Sequence, residues 1–354
     1  MNQYVALSVF CCYFALIGGL FLLIFNNLPT FSGRRLATSA YVFVALALAS
    51  FAHTWFYMFK FMAWSFRNHE HSIAPEQSQT PALMQRIASW LVNTSLFEQA
   101  WASVCFGNVN WWWSQQLCLF TVGAWTIFLS IEGRRHNVKA VWAYMLLGQL
   151  VAISVASNLF YLALVLSTPS PRPTSSRSER APASLWIPIL LSLCTVAISP
   201  YTNEGTFLPN LLLMHSLVIV PTLVVPKPSK PRMSLRLTTL YLLVFVVSLI
   251  LHTRATTQAL GVLSITDFVK SAWTTLHSHP AQSSIGWDVI WTSISFVVWV
   301  AIQSAQEVEG ATRRLLVAMY LVLATPLVSV GVLAPFVLRP QQQQEEDGQR
   351  QKQE

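Results

Sequence analysis

Four acidic residues each lie at the edge of a long apolar run of the sequence. They are Glu98, Glu132, Glu204 and Asp288, in a chain of 354 residues that has 14 acids and is 54% hydrophobic. A carboxylate that borders hydrocarbon is costly to keep ionised. Each of the four is therefore a candidate proton donor, an ion-relay group or an interfacial charge that reaches water.

Each acid also has a purely structural interpretation. Glu132 precedes two arginines by two and three residues, so it could form an interfacial ion pair. Asp288 lies near the predicted start of a helix, where the helix dipole favours a carboxylate as a cap. Glu98 and Glu204 could simply be solvated in loops. The set of four carries more information than any single member.

Tryptophan is abundant, with 14 residues, and several of them lie near the acids. Trp287 and Trp291 flank Asp288, and Trp291 is three residues further along the same predicted helical face. Together with Trp113 they are candidates for stabilising a cation against their aromatic faces. The alternative is a belt of tryptophans at the membrane interface.

No familiar cofactor or metal motif occurs in the chain. The sequence has no Walker lysine loop, no GxGxxG, no GxSxG and no aspartate-rich motif of the kind that binds magnesium diphosphate. The five cysteines form no CxxC pair, and no basic face suits nucleic acid. We expect neither a cofactor nor a metal, so an enzyme of this sequence would use protons and a shaped apolar cavity.

The elements that must position these residues are membrane helices. With 10% charged residues and a mean hydropathy of +0.49, the chain differs from a soluble domain, in which roughly 25% of residues are charged. Apolar runs of about 20 residues predict an all-α, polytopic membrane protein with eight or nine transmembrane helices. The predicted spans are about 4–26, 37–59, 109–131, 140–167, 185–199, 207–225, 237–253, 287–303 and 315–338.

Residues 1–338 are predicted to form a single membrane domain. The Pro/Ser/Arg-rich segment of about 168–184 reads as a disordered loop, and 339–354 as a polar tail. Residues 81–92 have apolar residues near helical spacing, which predicts a helix in the interface. Polar residues interrupt the third and fourth spans, among them Gln149 and Asn158. They predict hydrogen bonds between helices or a cavity lining.

Part of the sequence resembles a known family. SLFEQAW, NWWWSQQLCLF, the IEGRR turn and WAYMLLGQLVAISVASNLFYLAL, all between Ser95 and Leu166, are similar to segments of fungal membrane-bound terpene cyclases. These are the cyclases of ascofuranone- and ascochlorin-type meroterpenoid biosynthesis. The later IGWDVIW run also fits this resemblance, and together the two stretches cover about a quarter of the chain.

The resemblance implies an isomerase of secondary metabolism. Such a cyclase protonates the terminal epoxide of a farnesylated aromatic precursor and closes rings through a carbocation, with no redox change and no cofactor. It implies a lipophilic prenylated substrate and location in the endoplasmic reticulum membrane, with other pathway enzymes in the same bilayer. The choice of Asp288 or Glu98 as the acid, with Glu132 and Glu204 as further candidates, rests on position in the sequence and not on the family.

Two other functions remain open from the sequence. A small-molecule transporter or exporter would have internal repeats or paired broken helices near the bilayer midplane. A non-catalytic scaffold would leave the acids in water and form no enclosed cavity. Membrane orientation and glycosylation at the sequon of Asn93 also remain open.

Overall fold

The chain folds almost entirely into helices. The computed structural model describes residues 2–29, 34–72, 82–167, 180–224, 233–306, 319, 321–325 and 328–339. The tail of 340–354 and most of the predicted loop of 168–184 lie outside the described residues. The end of that loop is ordered earlier than predicted, because Arg180–Ala181 form a strand and a helix begins at Ala183.

Fourteen helices and two short strands follow one another in the described parts of the chain. The first helices are α1 (Gln3–Asn26), α2 (Arg34–Ser72), α3 (Leu83–Asn93), α4 (Leu96–Cys105), α5 (Asn108–Phe120), α6 (Thr126–Arg135), α7 (Val141–Leu150) and α8 (Ile153–Leu166). A π-helical segment, Thr121–Trp125, joins α5 to α6. Strand β1 (Arg180–Ala181) precedes α9 (Ala183–Ile198), the 3₁₀ turn Ser199–Tyr201 and α10 (Glu204–Leu223). Strand β2 (Leu235–Arg236) precedes α11 (Leu237–Leu260), α12 (Ile265–Ser278), α13 (Pro280–Gln306) and α14 (Val330–Val337).

Seven helices within the described residues are long and apolar enough to cross a membrane. They are Gln3–Asn26, Thr38–Ser72, Asn108–Arg135, Ala183–Tyr201, Glu204–Leu223, Leu237–Leu260 and Pro280–Gln303. The chain is therefore a helical membrane protein, and seven of the nine predicted spans correspond to one such helix each. Asp288 was expected near the start of its span, but α13 begins at Pro280 and places it two turns inside the helix.

The predicted span of 140–167 is broken in two. Helices α7 and α8 have 10 and 14 residues, shorter than the roughly 20 that cross a bilayer, and Val151 and Ala152 separate them. Ala152 has an extended backbone conformation, which ends the helical hydrogen-bond pattern. The apolar run gave no sign of this break, because both halves are equally hydrophobic.

Helix α8 lies at the centre of the fold. Every residue from Ile153 to Val165 is buried, and the helix packs against α2, α7 and α13. Aromatic rings fill the surrounding core: Tyr161 stacks on Trp299 with 4.8 Å between ring centroids. A helix with this many apolar residues requires protein or lipid around it, and here the neighbouring helices bury it on all sides.

Two shorter helices are amphipathic. Helix α3 packs on α1 and α2 through Trp90 and Leu91, so the helix predicted for 81–92 is present. Helix α12 packs on α5 and α13 and leaves Val269 and Trp273 exposed. The two-residue strands pair antiparallel, Arg180 with Arg236 and Ala181 with Leu235, and tie α9 to α11.

Candidate functional site

A cavity of about 480 Å³ lies among the helices and has a mainly apolar wall. Its volume is within the roughly 300–1,000 Å³ of small-molecule sites. Side chains from α1, α2, α4, α5, α7, α8, α10 and α13 contribute to the wall. Its polar residues are Tyr13, Thr54, Glu98, Thr121, Gln149, His215, Ser284 and Asp288. Two of the four acids selected from the sequence thus meet at one cavity.

Asp288 is buried and holds the start of α8. The N–H of Ile153 donates to its Oδ2 over 2.9 Å, and the N–H of Ser154 donates to its Oδ1 over 2.8 Å. Only 5% of the residue is exposed. A helix N-terminus offers unpaired N–H groups and a positive dipole end, and a carboxylate satisfies both. Asp288 is therefore a cap, as its structural interpretation proposed, but it caps another helix and not its own.

The other end of the break is satisfied as well. The hydroxyl of Tyr13 on α1 donates to the carbonyl oxygen of Leu150, the last residue of α7, over 2.7 Å. A broken helix is tolerated at membrane depth only where its freed backbone groups find partners within the protein. Tyr13 and Asp288 supply these partners from opposite sides, so the break between α7 and α8 is a built feature of the cavity wall.

Glu98 lies in the first turn of α4 and also lines the cavity. Its side chain is partly buried and makes no hydrogen bond or ion pair with any residue that the structure describes. The residue before it, Phe97, and the residue three positions after it, Trp101, line the same cavity. Glu98 thus places a carboxyl group on a largely apolar wall, and no described residue binds that carboxyl through a hydrogen bond or an ion pair.

Another polar part of the cavity wall is centred on His215 of α10. The Nε2 of Gln149 donates to the His215 carbonyl oxygen over 3.3 Å, and Nδ1 of His215 donates to the carbonyl oxygen of Leu211 over 2.8 Å. Trp101 meets the imidazole edge to face, with 5.3 Å between ring centroids. Gln149 thereby lines the cavity and links helices at once, so both interpretations of the polar residues in these spans apply to it.

Glu132 and Glu204 lie away from the cavity. Glu132 forms an ion pair with Arg135 at 3.3 Å, and its Oε2 is 3.6 Å from His136. Burial, and secondarily the Arg135 cation, lower the pKa of His136, so the arginine is the charged partner. Glu204 is the exposed first residue of α10, in a turn that Asn203 caps. Neither residue is brought together with Glu98 or Asp288.

The three selected tryptophans form structural contacts and do not line the cavity. The indole N–H of Trp291 donates to Nδ1 of His53 over 3.2 Å, and the Trp287 ring lies 4.3 Å from the same imidazole. Trp113 donates to the Ala272 carbonyl oxygen over 3.0 Å and so ties α5 to α12. Trp101 is the tryptophan of the cavity wall.

Sequence reasoning missed Tyr13, Trp101 and His215 as wall residues. Tyr13 lies inside an apolar run with nothing around it to distinguish it from a core residue. Trp101 is adjacent to the SLFEQA motif, and its spacing of three residues from Glu98 could have linked the two. His215 is an isolated histidine in a span, whose intramembrane position was the available signal.

Comparison with known proteins gives little more. Residues 240–343 match a protein family described as "Protein of unknown function DUF2834". This segment includes Asp288 and excludes Glu98, and it is less than half of the chain. No curated protein and no solved structure matches the sequence. Among the described residues there is no group of three or more histidines, cysteines and acids that could hold a metal ion.

Proposed function

We propose that the protein is a membrane-bound terpene cyclase of secondary metabolism that opens a terminal epoxide of a farnesylated aromatic substrate. The observation that carries this proposal is the placement of Glu98, whose carboxyl has no hydrogen bond or ion pair with the residues that the structure describes, on the wall of a largely apolar cavity. General acid catalysis needs a proton donor within reach of the reacting oxygen. A carbocation also needs an environment with little water. The resemblance of Ser95–Leu166 to fungal meroterpenoid cyclases supports the same reaction.

In this mechanism Glu98 donates its proton to the epoxide oxygen, and the carbon–oxygen bond at the more substituted carbon breaks. An internal alkene or a hydroxyl group attacks the resulting cation and closes a ring. Loss of a proton from the cyclised cation completes the reaction, so substrate and product are isomers. Three of the aromatic rings that line the cavity, those of Phe61, Phe97 and Trp101, are the cation-stabilising candidates in this proposal, in place of the three tryptophans selected from the sequence.

Asp288 has a positioning role in this proposal. Both of its oxygens accept backbone N–H groups, and such contacts favour a fixed anion. It shapes the cavity by holding the first turn of α8. We also propose that α7 and α8 together form one crossing, which would add an eighth span to the seven long apolar helices. We place the protein in the endoplasmic reticulum, where lipophilic precursors and other pathway enzymes share a bilayer.

The test uses microsomes that contain the protein and a panel of epoxyfarnesyl-arenes. Wild type should form a product of unchanged mass and altered retention in liquid chromatography with mass spectrometry. Glu98→Gln should lose this product, whereas Glu204→Gln, a change of the same chemistry on an exposed acid, should retain it. The absence of any isomer across the panel with wild-type protein would contradict the cyclase.

A transporter is the second candidate, and the break between α7 and α8 favours it. Transporters place discontinuous helices, with their half-helix ends, around a site near the midplane. A transporter would move a lipophilic solute out of sealed vesicles without changing its retention. Release of unaltered substrate that depends on this protein would select this function over cyclisation.

A further inference from the structure

We propose that the cavity has a lateral opening to the bilayer between α1, α4 and α10, through which a lipid-soluble ligand enters. The inference rests on the proposed function for the identity of the ligand and on the geometry for the opening. Two cavity-lining residues are also exposed on the outside of the protein: Phe97 by 42% and Leu212 by 57%. A side chain that belongs to both surfaces marks the place where the two surfaces join.

The opening lies at the depth of the hydrocarbon. Leu212 is eight residues past the first residue of α10, or about 12 Å along the helix at 1.5 Å per residue. Tyr13, whose ring is 4.9 Å from that of Phe97, is ten residues past the first residue of α1, or about 15 Å. Both positions therefore lie near the middle of helices that are long enough to cross a hydrocarbon layer of about 30 Å. An opening there meets lipid chains and not water.

The surface around the opening is apolar. On α1, Val9 and Leu16 are exposed on either side of Tyr13, and on α10, Leu213 is exposed next to Leu212. These side chains suit contact with hydrocarbon, and no charged side chain of α1 is present, because that helix contains none. A water-soluble substrate would have to cross this layer to reach the cavity, whereas a lipid-soluble one is already dissolved in it.

The polar groups inside define the class of ligand. Glu98 directly follows Phe97 in α4, so an acid lies immediately inside the opening, and Gln149 and His215 lie further along the wall. Most of the other wall residues are apolar. The matching ligand is an elongated hydrocarbon chain that carries an oxygen function, which can accept a hydrogen bond from a protonated carboxyl. A prenyl chain with an epoxide oxygen has this form.

The experiment uses a photoreactive farnesyl analogue with a diazirine and an alkyne handle, added to microsomes that contain the full-length protein. In wild type, the labelled peptides should come from the cavity wall, as read by mass spectrometry. Leu212→Trp should lower this labelling at least fivefold by filling the opening, and Leu212→Ala should preserve or increase it. Leu213→Trp is the matched control, because Leu213 is 52% exposed on the same helix but does not line the cavity.

Labelling that is equal in Leu212→Trp and Leu213→Trp, in proteins of equal abundance and monodispersity, would overturn the opening. Labelling of wild type outside the cavity would also overturn it. The cyclase is judged separately: selective loss of labelling in Leu212→Trp without any cyclised product from wild type would keep the opening and refute the cyclase. Turnover by Leu212→Trp equal to wild type would refute the opening and keep the cyclase.

Discussion

The two acids of the cavity lie on walls of opposite character. On the wall of α8 and α13, Asp288 is buried and both of its oxygens hold backbone N–H groups. Nearby, the side-chain amide of Asn158 donates to the hydroxyl of Ser295 over 2.8 Å. On the wall of α4 and α10, Glu98 has no described partner, and Phe97 and Leu212 are exposed to the outside.

This difference assigns different tasks to two residues of the same chemistry. A carboxylate fixed by two N–H groups and a helix terminus contributes to the fold, and protonating it would forfeit those contacts. A carboxyl without such contacts holds no backbone group in place, so replacing it removes no such contact from the fold. We therefore expect changes on the α8–α13 wall to alter stability first, and changes on the α4–α10 wall to alter activity first.

The largest effect is expected at Glu98, on the wall of α4 and α10. Glu98→Gln should lower the rate of epoxide cyclisation by about 10²- to 10⁴-fold, the usual contribution of a general acid. The melting temperature in detergent should stay near that of wild type, because the side chain has no structural partner to lose. Product formation at saturating substrate measures the first quantity and thermal unfolding the second. A large fall in the melting temperature of Glu98→Gln would show that Glu98 also stabilises the fold, and the proposed difference between the two walls would be wrong.

The next largest effect is expected at Asp288, on the wall of α8 and α13. Asp288→Ala should lower the free energy of unfolding by about 3 kcal/mol, because two buried N–H groups lose their acceptor. Asp288→Asn should lower the free energy of unfolding by less, since its amide oxygen can still accept one of the two N–H groups. Denaturant unfolding of the purified protein, with Glu98→Gln as the matched control, measures this difference. Asp288→Ala protein that is as stable as wild type would show that water can replace the cap.

A smaller effect is expected at Tyr13 on α1, which contacts the break between α7 and α8. Tyr13→Phe removes the hydroxyl that donates to the Leu150 carbonyl and should cost about 1 kcal/mol in the free energy of unfolding. Phe14 provides a control site, since Phe14→Leu on the same helix changes packing without touching a backbone group of α7. Hydrogen exchange at the end of α7 should increase in Tyr13→Phe and remain unchanged in the control.

The smallest effect is expected at Glu204. Glu204→Gln changes an exposed residue at the start of α10 and should shift the free energy of unfolding by less than about 0.5 kcal/mol. Cyclisation should proceed at the wild-type rate, because the residue does not line the cavity. A marked loss of activity would mean that Glu204 reaches the substrate and that the choice of Glu98 over the other acids is wrong.

The helical membrane fold could be predicted from the sequence, because apolar length determines which segments enter a bilayer. Helices such as α1 and α10 appear close to their predicted bounds. The break at Val151–Ala152 could not be predicted, because Asp288, which accepts the N–H groups freed by the break, is 135 residues away from Ile153. No pattern of neighbouring residues in the sequence indicates that contact.

The candidate site was predicted in part. Glu98 and Asp288 stood out because acids are rare beside apolar runs, and that rarity is a physical signal visible in the sequence. Their different surroundings were not visible, since both are carboxyl groups next to aromatic residues. Trp291 was selected because it is near Asp288 along the helix, and its indole turns toward His53 on α2. Which face of a helix meets a cavity depends on packing that sequence spacing leaves undetermined.

The contact between Asp288 and α8 also constrains how the protein is synthesised. Neither α7 nor α8 is long enough to enter the membrane as an independent span. The N–H groups at the start of α8 gain their acceptor only after the ribosome has produced α13, 135 residues later. The final shape of the cavity therefore arises late in biogenesis, when α13 docks against the start of α8.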